Sequence, residues 1–181
     1  MSEKVSYQHG PQEKLGILLV NLGSPDAPKP SAVRRYLAQF LSDPRVVESN
    51  RFIWWLVLHG IILRFRPSRA AKAYQKVWTE DGSPLLHYTR LQTQAIQKIL
   101  EDRFRGHVIA DMAMTYGKPS IKHGLEGLRK AGARRLLVLP LYPQSSGTTT
   151  AAVFDQVTSV LQGWRWLPDL RLIYQSHDHP K

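Results

Sequence analysis

No cysteine occurs among the 181 residues. That absence excludes disulfides, thiolate zinc sites and Cys-ligated iron–sulfur clusters. Acidic residues are scarce as well, 14 against 25 Lys and Arg, for a formal net charge of +11. None stands between Glu48 and Glu80, where Arg51, Arg64, Arg66, Arg69, Lys72 and Lys76 all fall. A basic excess of this size favours an anionic partner: nucleic acid, lipid or a small molecule. No nucleic-acid partner is expected, because neither a binding motif nor exposed aromatics interleaved with basic residues can be read. There is no GxxxxGK[ST] and no GxGxxG spacing, so neither a P-loop nor a dinucleotide fingerprint is present. Residues 1–14 form a polar tail without an apolar h-region, so no N-terminal signal is expected there. A cytoplasmic location fits, with the periphery of the inner membrane as the alternative.

What is present is enough apolar residue for a core, 43%, with 22% charged. The length suits one ordinary domain or two small ones. The most apolar segment, 52–65, reads Phe-Ile-Trp-Trp-Leu-Val-Leu-His-Gly-Ile-Ile-Leu-Arg-Phe. As a helix it reaches roughly 21 Å, short of the ~30 Å hydrocarbon core of a bilayer. Two readings stand. It is a buried core helix, or an interfacial one in which Trp54 and Trp55 meet a membrane surface.

Four apolar runs read as strands, 15–21, 107–114, 135–142 and 170–175. Their interiors are near-continuous Leu, Ile, Val or Met, as for parallel strands buried on both faces. Helical patterns alternate with them. Ser31 caps a helix with Val33, Leu37, Phe40 and Leu41 on one face. Ser83 and Pro84 start another, with Ser at the N-cap and Pro at the first helical position. It carries Leu91, Ala95 and Ile99 and ends before Gly106. Pro119 opens a third, with Ile121, Leu125 and Leu128 on its inner face and Gly132 as the stop. A last helix covers 149–161 with Val153, Val157 and Val160. The alternation predicts an α/β fold with a Rossmann-like parallel sheet of about four strands and helices on both faces. The first crossover, 23–106, is far longer than a minimal unit and reads as a lid-like insertion.

Ligands of open α/β sheets bind beyond the carboxyl ends of the strands. Four turns qualify: 21–25, 115–119, 143–150 and 176–179. The third holds Ser145, Ser146, Gly147 and three threonines ahead of a helix, a hydroxyl-rich setting for an anion. Serine and threonine also cap helices for purely local reasons, so both readings remain. His177 and His179 lie two apart, a spacing open to a metal, but no metal site is predicted because no third ligand stands near them in sequence. No Ser–His–Asp set or paired carboxylates can be recognised. From motifs alone the chain is a ligand-binding α/β domain without a defined reaction.

Six segments, in order, resemble the ferrochelatase family. They are Gly16-Ile-Leu-Leu-Val-Asn-Leu-Gly-Ser-Pro25, Arg35-Tyr-Leu-Ala-Gln-Phe-Leu-Ser-Asp43, Tyr74-Gln-Lys-Val-Trp78, Gly82-Ser-Pro84, Met114-Thr-Tyr-Gly-Lys-Pro119 and Leu139-Pro-Leu-Tyr-Pro-Gln144. The 52–65 segment with its paired tryptophans is similar to the proteobacterial protohaem form. The resemblance implies one half, 15–181, of a two-domain enzyme that inserts Fe(II) into protoporphyrin IX in haem biosynthesis. It further implies a lip insertion at about 45–80 and a porphyrin cleft between the two halves. Leu22 then lies against the macrocycle near the metal, and Tyr116 is an active-site aromatic. Thr115 stands where other members carry a basic residue. Lys76 stands where some use arginine toward the propionates, and Lys lacks the planar fork of Arg. Ser145 and Ser146 complete the substrate-side set. Gly147 falls where cluster-containing members have cysteine, so no iron–sulfur cluster is expected.

The family's catalytic His and Glu turns match nothing in this sequence. No catalytic residue is therefore assigned, and the 181-residue chain is expected to be inactive alone. The expected partners are porphyrin and the C-terminal half of the same enzyme. Peripheral membrane contact through 52–65, or self-association through that apolar surface, is also expected. Two alternatives stand beside this reading: a porphyrin- or partner-binding module without turnover, and a basic membrane-surface protein on an α/β scaffold.

Overall fold

A computed structural model describes residues 14–175. Its framework is a four-stranded, all-parallel sheet. Strand β1 (Lys14–Asn21) is central, between β2 (Val108–Met114) and β3 (Ala133–Pro140), with β4 (Asp169–Leu172) outside β3. The spatial order is β2-β1-β3-β4. An inner strand of a covered parallel sheet has no solvent face, which is why β1 reads Ile-Leu-Leu-Val without a polar break. Strand β3 begins and ends about two residues before its expected position, and β4 is shorter than the run that predicted it.

One sheet face, carrying Leu18, Val20, Ala113, Leu136 and Val138, is covered by α5 (Ile121–Lys130) and α6 (Ala152–Gln162). The expected inner residues Ile121, Leu125, Leu128, Val153 and Val157 are all buried there. Gly124 lets α5 approach closely, since a Cβ at that position would come within 2.6 Å of Leu18 Cδ1. The other face, with Ile17, Leu19 and Val108, packs against Ile96 and Leu100 of α4 (Pro84–Phe104).

Ahead of α4 lie α1 (Pro30–Ser42), α2 (Arg51–Val57), a π-helical turn (Leu58–Ile62) and α3 (Leu63–Val77). They build a second core of Val33, Tyr36, Leu37, Leu41, Leu58, Leu63, Ala71 and Tyr116. Asn50 caps α2 by accepting from the Phe52 and Ile53 amides. Trp54 Nε1 donates to Leu41 O at 2.7 Å and Arg51 Nη2 to Ser42 O at 2.6 Å, tying the α2–α3 arm to the end of α1.

Four local expectations are corrected. Pro30, not Ser31, begins α1, because its fixed φ suits the first turn. The fifth helix begins at Ile121 rather than Pro119, since the Ser120 side chain accepts from the His123 amide and takes the cap. The last helix starts as a π turn, Gly147–Ala151. On α4 the expected inner residues Leu91 and Ile99 are exposed, and Thr89 and Thr93 are buried instead. Each threonine satisfies its hydroxyl on the carbonyl four residues back, at 2.7 and 2.8 Å, so it can face apolar neighbours.

Candidate functional site

The carboxyl ends of the strands bring three of the expected site residues together. The Thr115 amide donates to Asn21 O at 2.8 Å and the Tyr116 amide to Leu22 O at 2.9 Å, so the turns after β1 and β2 are laced to each other. The Leu22 amide donates to Asn21 Oδ1, and Asn21 Nδ2 donates to Thr89 Oγ1 on α4. Thr115 Oγ1 lies 3.4 Å from the Tyr142 hydroxyl, which follows β3. Leu22, partly buried, packs against the core that contains Tyr116.

Tyr116 lies at the edge of an open cavity of about 480 Å3 that Asp43 and Asp155 also line. Its side chain is almost fully buried, with its ring edge-on to Phe40 at 5.1 Å. Its hydroxyl donates to Asp43 Oδ2 at 2.8 Å. The second Asp43 oxygen accepts from the Arg45 amide, and Arg45 donates from Nε and Nη2 to the two Asp155 oxygens on α6, at 2.7 and 3.2 Å. Sequence reasoning missed Asp43 as a partner, although it ends one of the quoted motifs.

The hydroxyl-rich turn is closed on itself. Ser146 Oγ lies 2.6 Å from Thr149 Oγ1 and 3.2 Å from Thr148 Oγ1. Ser145 beside it is half-buried. Neither serine lines the cavity at Tyr116. Lys76 is exposed in the last turn of α3. His177 and His179 lie outside the described residues.

The 52–65 segment is not a core helix, which overturns one of its two readings. Only Leu58 and Leu63 are fully buried, with Trp54 and Ile62 packed half-buried against the second core. Phe52 and Phe65 are more than 70% exposed, and Ile53, Trp55 and Ile61 more than half. On the arm's α3 side a cavity of about 570 Å3 is lined by Ile61, Ile62, Phe65, Ala70 and Ala73, with Arg66 and Arg69 among them. No helix among the described residues is long and apolar enough to cross a membrane.

Burial pushes the Tyr142 phenol up to about 12. It pushes Tyr36 up strongly, and Tyr116 as well, there aided by the Asp43 carboxylate. These phenols stay neutral in the fold after those of the unfolded chain, at about 10, have ionised. The unfolded state then binds fewer protons, so stability falls as pH rises through 10 toward 12. Urea unfolding should show this loss above pH 10, at about 1.4 kcal/mol per pH unit for each phenol held neutral. Tyr142→Phe should flatten the slope, and an unchanged slope would count against the assignment.

The ferrochelatase family model matches residues 14–181. A ferrochelatase of Thioalkalivibrio sulfidiphilus is 57% identical, over 94% of this chain and 46% of that protein. One from Marinobacter nauticus is 51% identical, over 97% of this chain and 47% of its own length. A coproporphyrin III ferrochelatase of Symbiobacterium thermophilum is 57% identical, over 93% and 52%. The chain spans about half the length of the curated relatives it matches. On the strength of the family model and these identities, it belongs to the ferrochelatase family.

Proposed function

We propose that this chain forms one wall of a porphyrin site and that the protein it serves inserts Fe(II), as substrate, into the macrocycle. The observation that carries this reading is the α2–α3 arm. An apolar cavity with two guanidiniums at its side suits a flat apolar ligand bearing carboxylates. The laced turn of Leu22, Thr115 and Tyr116 presents a fixed backbone at the sheet edge where such ligands bind. Ser145, Ser146 and Lys76 complete the proposed substrate-facing set. The macrocycle is protoporphyrin IX in this reading.

Insertion requires a positioned acceptor for the two pyrrole protons. Asp43 is the carboxylate beside this turn, and its two oxygens are already engaged by Tyr116 and Arg45. The acceptors are therefore assigned to the polypeptide that completes the relatives' length. Residues 1–181 alone should bind porphyrin, read by fluorescence quenching, and should insert no metal. Arg66→Ala with Arg69→Ala should weaken binding about tenfold or more, since two charge-assisted contacts are lost. Metal insertion by residues 1–181 clearly above the uncatalysed rate would overturn the assignment of the acceptors. Unchanged affinity in the double variant would overturn the role of the arm.

A second reading rests on the same arm. Phe52, Ile53 and Trp55, with arginines beside them, suit the surface of an anionic bilayer, where the protein would sit as a peripheral cytoplasmic enzyme. Sedimentation with phosphatidylglycerol vesicles should pull the chain down, and Phe52→Ser with Trp55→Ser should release it. Equal sedimentation of the variant would exclude this contact.

A further inference from the structure

A cavity of about 470 Å3 opens at the carboxyl end of β2, the outer strand of the sheet. It is lined by Leu86 and Arg90 of α4, by Lys118, Pro119 and Ser120 of the turn after β2, and by His123 of α5. Helices α4 and α5 cover opposite faces of the sheet, so the cavity straddles the end of its edge strand. Gln97 shows which way this flank of α4 is turned. Its side chain accepts from the Ala110 amide and donates to Val108 O, both on β2. At 100° per residue, Leu86, Arg90 and Gln97 fall within about 40° of one another, so Arg90 leans toward the same outer edge. No residue of this cavity lines the one on the arm.

The ionisable side chains of the lining are all basic. Arg90, Lys118 and His123 are exposed, and none has an ion pair among the described residues. No carboxylate lines the cavity. One solvated cation needs no ligand, but these three come from three separate elements onto one recess. The turn that carries Lys118 is also held in place. The Met114 amide donates to Pro119 O at 2.7 Å, and the Gly117 amide to Gln39 Oε1 at 2.8 Å. Ser120 Oγ accepts from the His123 amide at 3.2 Å, which leaves the hydroxyl hydrogen for a further acceptor. Leu86 and Pro119 supply the apolar part of the lining.

We infer that this cavity binds the phosphate of a soluble monophosphate ester, whose apolar part lies against Leu86 and Pro119. A phosphate monoester carries a charge of about −1.5 to −2 at neutral pH and three strong acceptor oxygens. Arg90 and Lys118 bring one positive charge each, which balances it. The guanidinium offers a fork for two oxygens, and Lys118, His123 and Ser120 offer donors for the rest. A carboxylate, with one charge and two oxygens, would be met by Arg90 alone and leave the other donors idle. The volume falls within the roughly 300–1,000 Å3 of small-ligand sites. The inference stands apart from the porphyrin reading, because it uses none of the residues proposed to face the macrocycle.

The test titrates the 181-residue chain with phenyl phosphate by calorimetry. One-to-one binding is expected, about tenfold or more tighter than benzoate, which has one charge fewer to offer. Inorganic phosphate should bind more weakly than phenyl phosphate, since it lacks the apolar part. Arg90→Gln and Lys118→Gln alter exposed positions, and circular dichroism checks that the fold persists. Each should weaken phenyl phosphate about tenfold or more, because a charge-assisted contact is lost. Arg103→Gln makes the same charge change in the last turn of α4 and should leave the affinity unchanged. No binding of phenyl phosphate, equal affinity for benzoate, or full affinity in both glutamine variants overturns the inference. An equal loss in Arg103→Gln would reduce the binding to net charge and overturn it as well. Phosphatidic acid vesicles separate the two sources of a phosphate monoester. Sedimentation with them that saturating phenyl phosphate reverses would assign the phosphate to a lipid headgroup and overturn the soluble ligand, and sedimentation unaffected by phenyl phosphate supports it.

Discussion

Gly23→Ala is expected to destabilise the chain by about 4 kcal/mol, near the top of what a single substitution does. Gly23 has φ +101°, and an added Cβ would stand 1.7 Å from the Tyr116 carbonyl oxygen. A left-handed conformation alone costs a non-glycine residue about 1–3 kcal/mol. The rest comes from the clash, which cannot relax cheaply. The Tyr116 peptide is held by its amide on Leu22 O, and the Gly23 carbonyl accepts from the Tyr36 hydroxyl at 3.2 Å. Gly82 provides the control, with φ +95° and nothing within 4 Å of a Cβ. Gly82→Ala should cost only about 1–2 kcal/mol, from backbone strain alone. Urea denaturation of both variants decides the matter, and equal losses would show that the close approach at Gly23 is not what matters. Because Gly23 joins the Leu22 turn to Tyr116, its loss should also abolish porphyrin binding.

Much of the fold was legible because its signals are local. The run of β1 is apolar because both of its faces are covered, and Ile121, Leu125 and Leu128 repeat at helical spacing because one side of α5 meets the sheet. Phase was lost on α4. Leu91, Ala95 and Ile99 repeat as a core stripe does, yet the sheet receives Thr89 and Thr93. Hydroxyls bonded to their own helix carry no sequence signature of burial. The site divides in the same way. Leu22, Thr115 and Tyr116 end neighbouring parallel strands, so strand order alone brings them together. The contact of Tyr116 with Asp43 spans 73 residues, across β1's neighbour and the whole arm, and nothing in the spacing announces it. The arm's exposure was equally hidden, because a run apolar on nearly every side reads alike in a core and on a surface.

Tyr116→Ala should cost about 3–5 kcal/mol, the range for truncating a buried aromatic. The ring fills the second core beside Phe40 and is only 1% exposed, so its removal leaves a cavity between α1 and the sheet edge. Tyr116→Phe keeps the ring and removes only the hydroxyl that meets Asp43 at 2.8 Å. Its cost should be about 1 kcal/mol, because Asp43 is half-buried and water can replace the lost donor. The two variants separate packing from ligand contact. Porphyrin quenching should be unchanged in Tyr116→Phe, since the hydroxyl is turned toward Asp43. It should weaken in Tyr116→Ala through displacement of the Leu22 turn, to which the Tyr116 amide is bonded. Unfolding in urea gives the stability terms and fluorescence titration the affinities. A Tyr116→Phe chain of near-normal stability that binds porphyrin several-fold more weakly would place the hydroxyl on the ligand and remove the packing explanation.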